Sequence, residues 1–198
     1  MPEENAPETT TEEPTGEPLP AGLAEALGAG LVEGRVEAGV IWLNVKPDAL
    51  PATLETLRAW QPVGYNQLSD ICGSDLGDRL QVVYHLFQLM ADRAAVVKID
   101  LPREGAKAPT ATHLWKMAEW AERETGEMFG IEFVGHPEQR NLLLPDDWEG
   151  YPLRKDYEYP MDHPYLRPDP LREDPRAVLE PAPPTPEPEA PTGEEPAA

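Results

Sequence analysis

Apolar and polar positions along the first part of the chain predict a short helix followed by a hairpin. The helix is expected over residues 21–28. Two apolar runs within residues 31–45 are separated by Glu37, Ala38 and Gly39, and this composition favours a turn between two paired strands.

A second helix is expected after Asp48, whose side chain can cap a helix N-terminus. Three leucines recur at the spacing of one helix face, which indicates an amphipathic helix packed on a core; they are Leu50, Leu54 and Leu57. This helix is expected to end near Gln61 and Pro62.

The next segment predicts a second hairpin and one further strand. Residues 65–74 and 79–90 flank a turn-forming sequence that favours antiparallel pairing; it reads Asp75, Leu76, Gly77 and Asp78. Residues 79–90 are mostly apolar on both faces, so this strand is expected in the interior of the sheet. A strand over residues 94–101 and a linker over residues 102–109 follow.

A last helix is expected to begin at Thr110 or Thr112 and to end at Gly126, because glycine is favoured at helix C-termini. Its buried stripe comprises Leu114, Ala118, Ala121 and Thr125. The order of elements predicts an α+β fold with a mainly antiparallel sheet and helices packed on it. We assign this domain to residues 19–127.

From residue 128 onward the pattern has no period, and prolines or glycines interrupt it every few residues. The segment is nevertheless rich in large apolar side chains, among them Phe129, Phe133, Leu143, Trp148 and Tyr157. So much apolar surface must lie against the chain's own domain or against a partner. We therefore predict an irregular docking strap over residues 128–170.

Acidic charge is concentrated at both ends of the chain. The net charge is −21, from 37 acidic and 16 basic residues. Residues 1–18 carry six acidic and no basic side chains, and residues 180–198 carry five and none. Because both ends are rich in proline and poor in large apolar residues, we predict disordered tails over residues 1–18 and 171–198. The acidic balance disfavours nucleic acid as a partner.

Several kinds of chemistry lack a sequence motif. There is no glycine-rich phosphate loop, no C-x-x-C pair and no G-x-S-x-G elbow, so nucleotide, iron–sulfur and acyl chemistry lose support. There is no apolar run long enough to span a membrane and no N-terminal pattern of a secretory signal peptide. The lone Cys72 fits a reducing compartment. We expect a soluble chain that is not exported.

The densest polar cluster allows two interpretations; it comprises Glu119, Glu122, Arg123, Glu124, His136, Arg140, Asp146 and Asp147. One is a metal-dependent or hydrolytic enzyme using His136 with Glu122 and Glu124, although the spacing matches no ligand motif. The other is structural. Arg123, Arg140 and Arg154 would pair with carboxylates and pin the strap to a helix, and His136 would bond a backbone carbonyl in a turn.

A nearly continuous motif extends from the last helix to Tyr157. Its positions are Glu122, Arg123, Glu124, Phe129, Gly130, Phe133, Gly135, His136, Pro137, Arg140, Leu143, Pro145, Asp146, Asp147, Trp148, Gly150, Pro152, Leu153, Arg154, Lys155, Asp156 and Tyr157. This motif resembles the signature of the thirty-kilodalton subunit, the bacterial C-type subunit, of respiratory complex I, the NADH:quinone oxidoreductase. One departure is Gly126 and Glu127, where that family commonly has an aromatic residue followed by Asp.

The resemblance implies a non-catalytic structural subunit that supports assembly of the quinone-reducing module of the proton-translocating complex. It implies no cofactor in this chain, since FMN, iron–sulfur clusters and quinone belong to other subunits. The implied partners are the forty-nine-kilodalton subunit, to which the family member is fused in some bacteria, and the neighbouring small iron–sulfur subunit. The implied location is peripheral, on the cytoplasmic side of the bacterial cell membrane, with membrane contact only through the complex.

The same resemblance gives the strap a role. Obligate interfaces are large, and Trp, Tyr and Arg are their usual anchors. We therefore expect the apolar side chains of residues 129–165 to be buried only in the assembly, with Trp148, Arg154 and Tyr157 as anchors.

Overall fold

The computed structural model describes residues 16–61 and 64–158. Its helices and strands are α1 Leu23–Leu27, β1 Leu31–Glu37, β2 Val40–Val45, α2 Leu50–Ala59, β3 Gln67–Asp75, β4 Arg79–Gln88, β5 Arg93–Pro102, β6 Lys107–Pro109, α3 Ala118–Phe129 and β7 Glu132–Val134. Single-turn 3-10 helices precede β1 and α2. Almost all of the predicted tail over residues 1–18, the whole tail over 171–198 and the strap beyond residue 158 lie outside the described residues.

Five strands form one sheet in the order β1-β2-β5-β4-β3. The pairings β1 with β2, β5 with β4 and β4 with β3 are antiparallel, whereas β2 and β5 are parallel. The predicted α+β fold with a mainly antiparallel sheet is therefore confirmed. Both predicted hairpins are present, and β4 lies between β5 and β3 as its apolar pattern indicates.

Two short strands form a second, separate sheet. β6 and β7 pair in parallel, with Ala108 opposite Phe133. The sequence predicts a linker at β6 and an irregular strap at β7, and both predictions are wrong over these strands. Runs of three residues are too short for an alternating pattern to be recognised.

The buried core joins apolar residues of the large sheet to residues of α1, α2 and α3. The leucine stripe of α2 is buried as predicted, and Leu23 of α1 joins it. The predicted cap is wrong, because Ala49 occupies the N-cap of α2 and no side chain bonds there. Asp48 instead lies in the 3-10 helix that leads into α2.

Helix α3 packs across β3, where the Thr125 hydroxyl donates to the Ile71 carbonyl at 3.1 Å. The ring of Phe129 lies so close to Gly73 that a Cβ there would be 2.3 Å from it. Ala118, Ala121 and Thr125 are buried, which confirms these members of the predicted stripe.

Both predicted ends of α3 are wrong. The helix begins at Ala118 rather than at Thr110 or Thr112, because the Thr110 hydroxyl bonds Glu122 on α3 instead of capping the helix. It continues past Gly126 to Phe129. Gly130 ends it, with φ of 70°, in the left-handed conformation that glycine adopts without steric cost.

Candidate functional site

The predicted motif folds around a cleft between α3, β7 and the strap, which we call the motif cleft. Its volume is about 420 Å³. Seven predicted motif residues line it: Glu122, Arg123, Gly130, Phe133, His136, Arg140 and Arg154. The other predicted positions lie off its lining: Glu124, Phe129, Gly135, Pro137, Leu143, Pro145, Asp146, Asp147, Trp148, Gly150, Pro152, Leu153, Lys155, Asp156 and Tyr157.

Glu122 is a fully buried carboxyl group on the wall of the motif cleft. The Thr110 hydroxyl donates to one of its oxygens and the Ala111 N–H to the other, each at 2.6 Å. Burial raises the pKa of Glu122 to about 7, although these two hydrogen bonds favour the charged form. Glu122 therefore fixes the loop that leads into α3.

A buried hydroxyl group lies in the electrostatic field of Glu122. Tyr84 of β4 is fully buried, and its hydroxyl has no hydrogen-bond partner among the described residues. Burial, and secondarily the charge of Glu122, raises the pKa of Tyr84 well above its usual value.

His136 makes two hydrogen bonds to the backbone. Its Nε2 lies 3.0 Å from the carbonyl oxygen of Glu119, and its Nδ1 accepts the N–H of Glu138 at 3.0 Å. The predicted bond of the ring to a backbone carbonyl is thus confirmed. Glu124, its expected catalytic partner, is exposed and away from the cleft.

Among residues 16–61 and 64–158, no group of three or more His, Cys, Asp or Glu side chains is arranged to hold a metal ion. Glu122 and His136 do line the same cleft, as the enzyme interpretation requires. Their polar atoms are, however, bonded within the chain. Apart from this shared lining, the described geometry gives the metal-dependent alternative no supporting observation.

Two arginines pin the strap to the domain through backbone carbonyl oxygens, and Arg123 also pairs, as predicted, with the carboxylate of Glu138 at 3.7 Å. Arg123 donates from Nε and NH2 to the carbonyls of Arg140 and Asn141, each at 3.0 Å. Arg154 donates from Nε to the carbonyl of Phe129 at 2.7 Å. Arg140 pairs with the carboxylate of Glu138 as predicted, but both residues lie in the strap, so this pair does not pin the strap to a helix.

Glu127 is an anchor that sequence reasoning missed. Its two carboxylate oxygens accept the backbone N–H groups of Leu142 and Leu143, at 2.7 and 2.9 Å. The residue stood out in the sequence only as a departure from the family motif. In the structure it ties the irregular strap to the last turn of α3.

Asp75 is a second missed anchor, and its turn-forming context gave no sign of the role. Its carboxylate accepts a 2.5 Å bond from Arg103, a 2.8 Å bond from the Gly77 N–H and a 2.8 Å bond from the Lys155 N–H. The Arg103 hydrogen bond is the main cause that lowers the pKa of Asp75 to about 2. Arg103 also pairs with Asp156, so the strap is held at two adjacent positions.

The strap divides into buried and exposed side chains. Phe129 and Phe133 are buried and Pro152 is buried with them, so the expectation that its apolar residues are buried only in an assembly is wrong for these three. Leu143 and Leu153 remain 63% and 53% exposed. The predicted anchors Trp148 and Tyr157 stack on each other, with ring centroids 6.4 Å apart.

No helix in the described part of the chain is both long and apolar enough to span a membrane.

Comparison with known proteins agrees with the motif. The family model described as the 30 Kd subunit of the respiratory-chain NADH dehydrogenase matches residues 43–163. A relative from Methylobacterium sp. (strain 4-46), named as the C-type subunit of NADH-quinone oxidoreductase, is 38% identical over 156 residues, which are 76% of this chain and 72% of that protein.

Two further similarities concern a longer protein and a solved structure. A relative from Serratia proteamaculans (strain 568), named as the C/D subunit of NADH-quinone oxidoreductase, is 42% identical over 130 residues, or 60% of this chain and 21% of that protein. A trypsin-resistant fragment of Nqo5 superimposes with a TM-score of 0.50 at 30% identity, covering 58% of this chain and 93% of the fragment. The chain belongs to the family of the 30 Kd subunit, the bacterial C-type subunit, of the respiratory-chain NADH dehydrogenase, complex I.

Proposed function

We propose that this chain is a non-catalytic structural subunit of the peripheral arm of the proton-translocating NADH:quinone oxidoreductase. One observation carries the proposal: two polar side chains of the family motif, Glu122 and His136, and that of Glu127 beside the motif, hold the chain itself together. Glu122 and Glu127 each use both oxygens, and His136 uses both ring nitrogens, on backbone or hydroxyl partners within the chain. Side chains engaged in this way organise a surface rather than carry out acid–base chemistry.

The proposed direct partner is the forty-nine-kilodalton subunit, next to the small iron–sulfur subunit. The Serratia relative supports this, because its name, C/D, joins two subunits of the complex in a single protein. A fused chain requires its two parts to lie near each other in the assembled complex. The exposed leucines of the strap supply apolar surface for such a contact.

FMN, iron–sulfur clusters and quinone would all be bound by other subunits, and enzyme activity would belong to the complex as a whole. Membership of the family supports a peripheral position on the cytoplasmic side of the bacterial cell membrane. Contact with the membrane would then run through the complex. The role of this chain would be to complete the assembly of the quinone-reducing module.

Deletion and complementation test this role. Cells that lack the chain should lose membrane NADH:quinone activity, and the forty-nine-kilodalton subunit should no longer be recovered with the iron–sulfur subunits. The wild-type chain should restore both. Full activity in the deleted cells, with the other subunits still assembled, would refute the proposal.

A further inference from the structure

Two exposed aromatic rings each stack on an arginine that lines the motif cleft, and one of them, Tyr151, lines the cleft itself. Trp120 on α3 is 59% exposed, and the guanidinium carbon of Arg123 lies 5.7 Å from its ring centroid. Tyr151 is 42% exposed, and the guanidinium carbon of Arg154 lies 4.6 Å from its ring centroid. Stacking of this kind holds an aromatic ring in a defined orientation.

The arginines of both pairs are themselves held by backbone carbonyls. Arg123 bonds the carbonyls of Arg140 and Asn141, and Arg154 bonds that of Phe129. Side chains already fixed before binding lose little conformational entropy when a partner arrives. Trp, Tyr and Arg are also the residue types that contribute most to protein–protein binding.

Most carboxylates on the cleft lining already have donors. Glu122 and Glu127 are bonded as described above, Glu138 pairs with Arg140, and Glu132 pairs with Lys107 at 2.7 Å. Glu104 is the exposed exception, and we find no hydrogen bond or ion pair for it among the described residues.

Arg154 is a cationic side chain of the cleft lining with hydrogen-bond donors that are not used within the described residues. Arginine has five N–H donors, and Arg154 uses its Nε on Phe129, while its terminal nitrogens have no acceptor within the described parts of the chain. A planar guanidinium with free terminal nitrogens matches a carboxylate in two-point geometry.

We propose that the motif cleft, together with Tyr151 in its lining and Trp120 stacked on Arg123, receives an extended segment of a neighbouring subunit, and that Arg154 binds a carboxylate of that segment. A cleft of about 420 Å³ accommodates a few side chains of such a segment. The inference rests on the proposed function, since it requires a partner subunit in the assembly. It adds the surface used and the chemistry of the group that enters.

Photo-cross-linking in the assembled complex tests the inference directly. A p-benzoylphenylalanine is placed at Glu104, which is exposed and lines the cleft, and in a second strain at Glu55 on α2, which does not. The complex is purified through a tag on this chain, irradiated and digested. The expected product at position 104 joins this chain to a peptide of another subunit that contains Asp or Glu, and position 55 should not give that product.

Substitutions supply a second readout. Trp120→Ala and Arg154→Gln should each weaken retention of the partner subunits in a salt wash by about tenfold, which corresponds to about 1.4 kcal/mol. Val32→Ala is the matched control, because Val32 has the same exposed fraction of 59% and lies on β1. It should leave retention unchanged. Arg154→Lys should recover only part of the loss, since lysine lacks the planar geometry.

The failure of this inference is distinguishable from failure of the proposed function. If partner subunits are recovered but position 104 cross-links only within its own chain, or if Trp120→Ala and Arg154→Gln retain partners as well as Val32→Ala does, the inference is overturned and the subunit role stands. If the wild-type chain brings down no other subunit, both are overturned.

Discussion

The carboxylate of Asp75 accepts the backbone N–H of Lys155 at 2.8 Å, and these two residues are 80 positions apart in the sequence. Arg103 bonds the same carboxylate and also pairs with Asp156, the next residue of the strap. The turn between β3 and β4 is thereby joined to the far end of the described strap. This part of the strap is ordered by the chain's own charges.

Replacing Asp75 by Asn should loosen this junction. The amide keeps one acceptor oxygen but loses the charge that pairs with Arg103, and we expect a loss of about 2–3 kcal/mol in the free energy of unfolding. Hydrogen exchange at the Lys155 amide should speed up in the same variant. Asp78→Asn is the control, because Asp78 forms an exposed pair with Arg79 and should cost less than about 1 kcal/mol.

The same carboxylate predicts a pH dependence. Its pKa is lowered from the ordinary value of 3.8 to about 2 in the folded chain, so its stabilisation is present above pH 3.8 and is lost as the pH falls through about 2. Denaturation curves of the wild type and of Asp75→Asn should therefore converge at low pH. Curves that remain separated by the same amount from about pH 5 to pH 2 would contradict the assignment.

Glu122 predicts the opposite pH dependence. Burial raises its pKa from 4.5 to about 7, so the unfolded chain loses the proton first and stability falls as the pH rises between these values. The wild type should lose on the order of 3 kcal/mol across this range from Glu122. Glu122→Gln should remove that slope while keeping an acceptor for Ala111. Parallel pH profiles for the two proteins would show that Glu122 is charged and well solvated.

Gly130 is expected to tolerate no side chain. Its φ of 70° disfavours any Cβ, and a Cβ at this position would lie 2.5 Å from the ring of Tyr151. Gly105 has a similar φ of 63°, and a Cβ there would meet no atom within 4 Å. Gly105→Ala therefore measures the cost of the backbone conformation alone. We expect Gly105→Ala to lose about 1 kcal/mol of unfolding free energy and Gly130→Ala about 3 kcal/mol. Equal losses would mean that the Tyr151 ring moves aside freely.

Replacing His136 by Gln separates a structural role from a catalytic one. A structural residue that bonds Glu119 and Glu138 should, when replaced, lower the amount of complex recovered while leaving turnover per assembled complex within about twofold. The measurement is quinone reduction normalised to FMN content. A catalyst would show the reverse, with normal abundance and a large loss of turnover.

The large sheet and the α2 stripe were predictable because turn residues and apolar spacing are local signals. The ends of α3 were not, because they depend on distant contacts. Gly126 has the residue type of a helix end, yet a Cβ there would meet the carbonyl of Ile131 at 2.9 Å, so close packing requires the glycine. Thr110 has the residue type of a cap but bonds Glu122.

The candidate site was predictable in its residues but not in its bonds. The polar cluster identified Arg123 and Arg154 as pins, and Arg123 does pair with the carboxylate of Glu138, but both arginines also bond backbone carbonyl oxygens that no sequence pattern marks. The contacts of Trp120 and Tyr151 with the two arginines were not predicted, because the sequence does not show which aromatic side chains remain exposed after folding. Asp75 was missed because its partner lies beyond the reach of any local pattern.

The central claim, that this chain is a structural subunit docked in the complex, is tested most directly by affinity purification of the tagged full-length chain from its native membranes. Co-purifying proteins are identified by mass spectrometry, and NADH:quinone activity is measured on the same sample. Our account predicts recovery of the forty-nine-kilodalton subunit and its iron–sulfur neighbours together with activity. Recovery of the chain alone, while the other subunits remain active in the flow-through, would contradict it.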